Sequence, residues 1–230
     1  MARGVLRTRT GHGGTLDPLA SGLLPVLAGG ATKFADRIHE ALKVYDALVR
    51  FGTETATDDR EGKVTRAASV PTFDEGMLEN ALATLRGVID QIPPQFAALK
   101  VSGRPAYARA RAGEAVELRA RRVQVHRLDV ITCTPPDLRL LVVCSSGTYV
   151  RAIARDLGRA LGSAAHLAAL RRLAVGALEL RDAITPDALR TRGLDAAMTL
   201  LRPADDRLLV LDPRFMAQAA ATIVLAGDTV

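Results

Sequence analysis

The chain has 230 residues, 48% of them hydrophobic, and a formal charge of +6, which excludes a disordered polypeptide and leaves room for one large globular domain, alone or with a small appendage. The positive balance suits a polyanionic partner such as RNA or DNA. Lys33, Lys43, Lys63 and Lys100 are the only lysines, so arginine supplies most of the charge; a G+C-rich genome would also enrich it, but its guanidinium suits bidentate phosphate contacts and stacking in either case.

Cys133 and Cys144 are too few for a disulfide framework or a zinc knuckle, and His12, His39, His126 and His166 show no ligand spacing. The expectation is a reduced, cytoplasmic protein with no metal and no membrane anchor. Arg3, Arg7 and Arg9 ahead of the apolar run Leu19 to Ala31 imitate a secretory signal, but Pro25 and several glycines interrupt that run.

Gly11-His12-Gly13-Gly14-Thr15-Leu16-Asp17-Pro18-Leu19-Ala20-Ser21-Gly22 sets one carboxylate among small residues. Two compatible readings apply. Asp17-Pro18 before Leu19, Leu23 and Leu24 has the form of a helix start. The absence of bulk also lets a large substrate approach the carboxylate closely, with His12 able to reach the same space.

Val44 to Phe51 reads as a strand, and Thr53 to Lys63 as the turn of a long hairpin, with Asp58, Asp59 and Glu61 solvated in it. Thr72-Phe73-Asp74-Glu75 has capping-box spacing, and Met77, Leu78, Ala81, Leu82 and Leu85 repeat at helical intervals as far as Gly87. Ile92-Pro93-Pro94 is a rigid connector. Phe96 to Val101 then reads as a strand and Ala106 to Arg111 as a short basic helix ending at Gly113. Val116 to Cys133 and Leu138 to Cys144 form an antiparallel pair around Pro135-Pro136-Asp137.

Thr148 to Leu161 is a helix with Val150, Ile153, Ala154, Leu157 and Leu161 on one face. Arg151, Arg155 and Arg159 line another, as a solvated surface commonly does. Arg151 stands apart, because the dipole disfavours a cation in the first helical turn and a nearby carboxylate would offset that cost. Ala164 to Val175 is apolar and basic, Thr185 caps a short helix Pro186 to Arg192, and a weak strand signal starts at about Leu208. Strands and helices alternate without a regular βαβ rhythm, so the expected class is α+β, with a mixed, mainly antiparallel sheet and flanking helices.

Six segments in order resemble the bacterial tRNA pseudouridine synthases that modify uridine 55 of the T loop. They are the Gly11–Gly22 loop, Ala31-Thr32-Lys33-Phe34, Lys43-Val44-Tyr45, Ile92-Pro93-Pro94 with Ala98-Leu99-Lys100, Ser146-Gly147-Thr148-Tyr149-Val150-Arg151, and Ala165-His166-Leu167 with Leu170-Arg171-Arg172-Leu173. The resemblance implies that Asp17 is the catalytic aspartate, that Tyr45 stacks on the target base, and that Arg151 pairs with the aspartate. It also implies that Leu170 belongs to the active-site wall and that His12 fills the space left when the base is extruded. Lys33 and Lys100 are RNA contacts or solvated charges.

The implied reaction is the isomerisation of uridine 55 in tRNA, without a cofactor, by a monomer that recognises the T arm and needs no protein partner. Residues 1–207 are the expected catalytic domain. Residues 208–230 are expected to be the start of a truncated C-terminal RNA-binding β domain or tail. The family's Lys-Pro-containing segment and opening strand have no counterpart in Met1 to Thr10, which would leave a sheet edge uncovered. Three rival readings differ in chemistry: a tRNA-folding chaperone with weak or no catalysis, a guide-dependent relative acting on ribosomal RNA, and a hydrolase with Asp17 as nucleophile. The last lacks a second acidic partner at a defined place.

Overall fold

A computed structural model describes residues 2–97, 99–101, 104–105, 118–199 and 201–216. The basic helix expected at Ala106 to Arg111 lies outside these residues. In chain order the first elements are α1 (Ala2–Leu6), β1 (Thr10–His12), β2 (Ala20–Gly22), β3 (Val26–Ala28), α2 (Ala35–Glu40), β4 (Lys43–Phe51), β5 (Thr53–Thr55) and β6 (Val64–Ala67). There follow α3 (Glu75–Ala83), β7 (Gly87–Gln91), β8 (Lys100–Val101), β9 (Arg104–Pro105), β10 (Arg121–Thr134) and β11 (Asp137–Cys144). The last are α4 (Val150–Ala160), β12 (Ala165–Val175), β13 (Leu178–Glu179) and α5 (Pro186–Thr199).

The framework is a seven-stranded sheet in the order β13-β12-β4-β11-β10-β7, with β2 added to the outer side of β12. Only the β2–β12 contact is parallel; the other pairs are antiparallel. This is the mixed, mainly antiparallel α+β arrangement expected from the sequence. In β4, Ala47, Val49 and Phe51 point into the main core, while Asp46 and Arg50 reach Arg139 and Asp137 across the neighbouring strand. The alternation is the period-2 signature of a strand buried on one face.

Helices α3 and α4 cover that buried face. Leu78, Ala81 and Leu82 of α3 and Ile153, Ala154 and Leu157 of α4 join Val49, Leu138, Leu140, Val142 and Leu167 in one cluster. A second cluster sets Val44, Val143 and Ala174 against Leu211, with Leu173 and Phe215 beside it.

Several local expectations shift. Asp17-Pro18 starts no helix: the Ala20 amide donates to the Asp17 carbonyl at 2.9 Å, and the chain turns directly into β2. The pairing of β2 with Leu170, Arg171 and Arg172 outcompetes the local cap signal. The cap of α3 is Asp74 rather than Thr72, its carboxylate accepting from the Met77 amide at 2.7 Å. Among the described residues between Phe96 and Val101 only Lys100–Val101 is strand, paired with Arg104–Pro105. The Thr185 hydroxyl does accept from the Ala188 amide at 3.2 Å, but α5 continues to Thr199 through a break at Gly193, where φ is 67°. Among the described residues from Leu208, Asp206–Leu209 and Pro213–Phe215 are 3-10 turns; the rest of the segment in which a weak strand was expected lies outside them.

Gly22 is required by close approach. Its φ is +101°, and a Cβ there would lie 2.3 Å from the Arg172 carbonyl oxygen. Gly158 serves the same purpose in α4, since a Cβ would fall 2.5 Å from the Ala165 nitrogen. Gly158→Ala would gain about 1 kcal/mol of helix propensity, but backbone cannot yield to the added methyl and overpacking costs about 1–3 kcal/mol. The expected net result is destabilisation, seen as a lower thermal unfolding midpoint than that of the unsubstituted chain.

Candidate active site

Asp17 and Arg151 meet across 134 residues of sequence. The Arg151 Nε donates to Asp17 Oδ2 at 2.8 Å and its Nη2 to Oδ1 at 3.2 Å, a bidentate pair. The two side chains differ in access: Arg151 is 5% exposed and Asp17 is 34% exposed. The cation is therefore sealed in while one side of the carboxylate stays open.

Burial of a guanidinium in the first turn of α4 is unfavourable twice, through desolvation and through the helix dipole. Acceptors from three segments offset it. Besides Asp17, the Thr57 carbonyl accepts from Nη1 at 2.9 Å, the Phe96 carbonyl accepts from Nη2 at 3.4 Å, and Asp59 Oδ2 lies 3.6 Å from Nη1. The start of α4 is itself fixed by Gln91. Its Oε1 accepts from the Tyr149 amide at 2.8 Å and its Nε2 donates to the Tyr149 carbonyl at 3.1 Å.

The reading of Asp58 and Asp59 as solvated is corrected: both are buried, while Glu61 of the same turn is exposed. Arg60 donates its amide to the Leu167 carbonyl, and Leu167 donates its own to the Asp58 carbonyl, each at 3.0 Å, which docks the turn on β12. Asp58 then accepts from Arg155 Nη1 at 2.7 Å. Burial raises the Asp58 carboxyl above its ordinary range, with Arg155 opposing. Arg155 is buried as well, so two of the three helix arginines are structural cations rather than a wetted face.

The third, Arg159, is exposed but donates to both oxygens of buried Glu54, at 3.0 and 2.8 Å, and Arg66 donates to the same carboxylate at 2.6 Å. The Arg159 hydrogen bonds hold Glu54 down at about 2, against the opposing effect of burial.

Tyr45 on β4 is in register with Val142 on one side and Arg172 on the other. Its phenol is pushed up to about 12, by burial first; the Arg172 charge opposes this and the Asp17 charge adds to it. Tyr45 is thus a neutral ring near the carboxylate at physiological pH. Leu170 is buried in the main core with Leu19 and Ala47, and Tyr45 packs against that cluster.

His12 and Lys33 are exposed, the first on β1 and the second in the 3-10 turn Gly29–Phe34. Lys100 is in β8, and its side chain is outside the described residues. Four contributors were missed by sequence reasoning: Asp59, Gln91, Glu54 and Arg172. The arginines spaced four apart on α4 were the available signal for the acids, because each buried cation requires an acceptor.

A cavity of about 420 Å³ adjoins Arg155 and is lined by Glu54, Asp58, Asp90, Asp156 and Arg159 among others. Asp17 and Tyr45 do not line it, so it is separate from the carboxylate site. Among the described residues there is no cluster of three metal-ligating side chains, and no helix is long and apolar enough to cross a membrane.

Comparison with known proteins places the fold and the family. The fold matches one chain in the crystal structure of a Cbf5-Nop10-Gar1 complex, with TM-score 0.62 and 28% identity over 82% of this chain and 47% of that one. It also matches a chain in an H/ACA RNP bound to a substrate RNA containing 2'-deoxyuridine, with TM-score 0.61 and 22% identity over 94% and 54%, a likeness of fold. The chain therefore spans about half the length of each. Residues 3–150 match the model for the TruB family pseudouridylate synthase N-terminal domain, and residues 151–208 that for the tRNA pseudouridylate synthase B C-terminal domain.

The class is thus that of pseudouridylate synthases, which are isomerases. The tRNA pseudouridine synthase B of Cupriavidus pinatubonensis is 45% identical over 99% of this chain and 73% of its own length; that of Burkholderia mallei is 46% identical over 96% and 72%. The chain belongs to the TruB family.

Acid stability provides a test of the Glu54 cluster. A carboxylate held at about 2 in the fold, below its ordinary 4.5, contributes stability that is complete above pH 4.5 and is lost as pH falls through 2. Asp58, raised by burial, acts in the opposite direction in both proteins compared. Glu54→Gln is therefore expected to reduce stability at pH 7 and to flatten its decline between pH 4.5 and 2, measured by denaturant unfolding across that range.

Proposed function

We propose that the protein converts uridine 55 in the T loop of tRNA to pseudouridine, with Asp17 as the catalytic carboxylate. The observation that carries this reading is the Asp17–Arg151 pair, whose acid is open on one side and whose cation is buried. Family membership and relatives named tRNA pseudouridine synthase B support the substrate class.

The reaction breaks the bond from ribose C1′ to N1, turns the uracil and joins C1′ to C5; C5 loses a proton and N1 gains one. Electrons balance without an oxidant or reductant. A carboxylate can attack C1′ of the sugar or C6 of the base, and either route needs it ionised in a site that the incoming base makes drier. The buried guanidinium opposes the protonation that desolvation favours.

Tyr45 acts as the platform for the uracil while it turns, as aromatic rings do for extruded bases. Its high ionisation range makes the phenol a poor acceptor for the C5 proton at neutral pH. Asp17, with an open oxygen face, is the better one. Leu170 forms part of the apolar wall. His12 fills the place of the extruded nucleotide, and Lys33 and Lys100 contact phosphates of the T arm. Residues 1–207 serve as the catalytic unit, acting as a monomer in the cytoplasm.

The test is incubation of the purified protein with an unmodified tRNA transcript, followed by mapping of pseudouridine. The unsubstituted chain should yield product at position 55, and Asp17→Asn should bind the transcript but yield none. A folded, unsubstituted chain that binds without product would favour the chaperone reading instead. Tyr45→Phe retains the ring and should bind tRNA within a few fold of the unsubstituted chain; loss of binding with normal single-turnover chemistry would remove Tyr45 from the platform role.

A further inference from the structure

Arg172 is 1% exposed, among the largest fully buried side chains; its guanidinium donates to three backbone carbonyls and also interacts with the Tyr45 phenol. Nε donates to Leu23 at 2.7 Å, Nη2 to Gly14 at 3.2 Å and Nη1 to Thr15 at 3.4 Å. The Arg172 carbonyl accepts from the Leu23 amide at 2.9 Å, so this one residue meets Leu23 at both its N–H and its C=O. The acceptors are not random loop atoms: Gly14 and Thr15 precede Asp17, and Leu23 follows it.

A buried cation is an expensive way to fill a core, and three neutral carbonyls with a neutral phenol beside them compensate it less well than a carboxylate would. An apolar side chain of similar volume would pack the same space at lower cost. Guanidinium differs from such a filler in having several donors fixed in one plane, able to hold separate chain segments at set positions. Gly22, whose absent Cβ would clash with the Arg172 carbonyl, permits the loop to close down on this anchor.

We propose that Arg172 is a positioning residue for the isomerisation: it clamps both limbs of the Gly11–Gly22 loop and thereby sets the position of the Asp17 carboxylate relative to Tyr45 and the target base. This rests on the assignment of Asp17 as the catalytic carboxylate. Arg172 itself is sealed from substrate, so its effect falls on the chemical step and not on RNA affinity.

The test compares the unsubstituted chain, Asp17→Asn, Arg172→Lys and Arg172→Ala, using an unmodified tRNA transcript for both filter binding and single-turnover pseudouridine formation. Arg172→Lys keeps the charge but cannot span three carbonyls. It should bind tRNA within about threefold of the unsubstituted chain yet form product slower by on the order of 100-fold, the penalty typical of an ångström-scale misplacement. Added methylguanidinium should restore much of the single-turnover rate of Arg172→Ala without altering its tRNA affinity. A rate in Arg172→Lys equal to that of the unsubstituted chain, a loss confined to binding, or failure of both variants to fold would overturn the proposal. Absence of product from the unsubstituted chain would instead overturn the reading of Asp17.

Discussion

Placing Arg151 under the start of α4 is the constraint around which the site is organised. A buried guanidinium there must be met by acceptors, and they come from the Asp17 loop, the β5–β6 turn and the Pro93-Pro94 connector. Each segment is far from the others in sequence and none is regular structure at the contact. Their meeting point is defined by the cation. A helix terminus that would otherwise repel positive charge thus becomes the place where three irregular segments converge.

Strand β12 performs the corresponding task for the backbone. Its inner side pairs with β4, its outer side carries β2 and β13, and the 56–63 turn attaches at Leu167. The carboxylate loop, the aromatic ring and the acidic turn are consequently referred to one rigid strand. Geometry built on packed strands is more closely held than geometry built on loops alone, and here the loops borrow that rigidity through main-chain hydrogen bonds.

The elements with strong periodicity were legible in the sequence: β4, the β10–β11 pair, α3 and α4 fall within a few residues of their expected limits. The Asp17 loop was legible as a place where a carboxylate could be approached. Misreadings arose where long-range contacts override local preference. Asp17-Pro18 carries a valid cap signal that the β2–β12 pairing overrules. Asp58 and Asp59 have the composition of a solvated turn; distant Arg155 makes the burial of Asp58 favourable, while Asp59 accepts from the local Thr57 hydroxyl and Glu61 amide with Arg151 3.6 Å away. Arg172 lies in a basic run beside Arg171, and alternation alone does not tell which is buried until the strand's faces are known. Gln91 gives no signal at all, because an amide that braces a helix start 58 residues away looks like any strand-end polar residue.

The parallel contact between β2 and β12 has a consequence for biosynthesis. It joins Ala20–Gly22 to Leu170–Arg172, closing a loop of about 150 residues, and the entropic cost of such closure must be met before the contact gives any return. On the ribosome, the strand that completes the loop emerges only about 150 residues after β2. Until then the Asp17 loop lacks its main-chain anchor, even though Arg151 has already been made, so a nascent or abandoned chain displays the glycine-rich segment unpaired. Assembly of the Asp17–Arg151 pair on β2 is therefore a late event, tied to completion of the sheet.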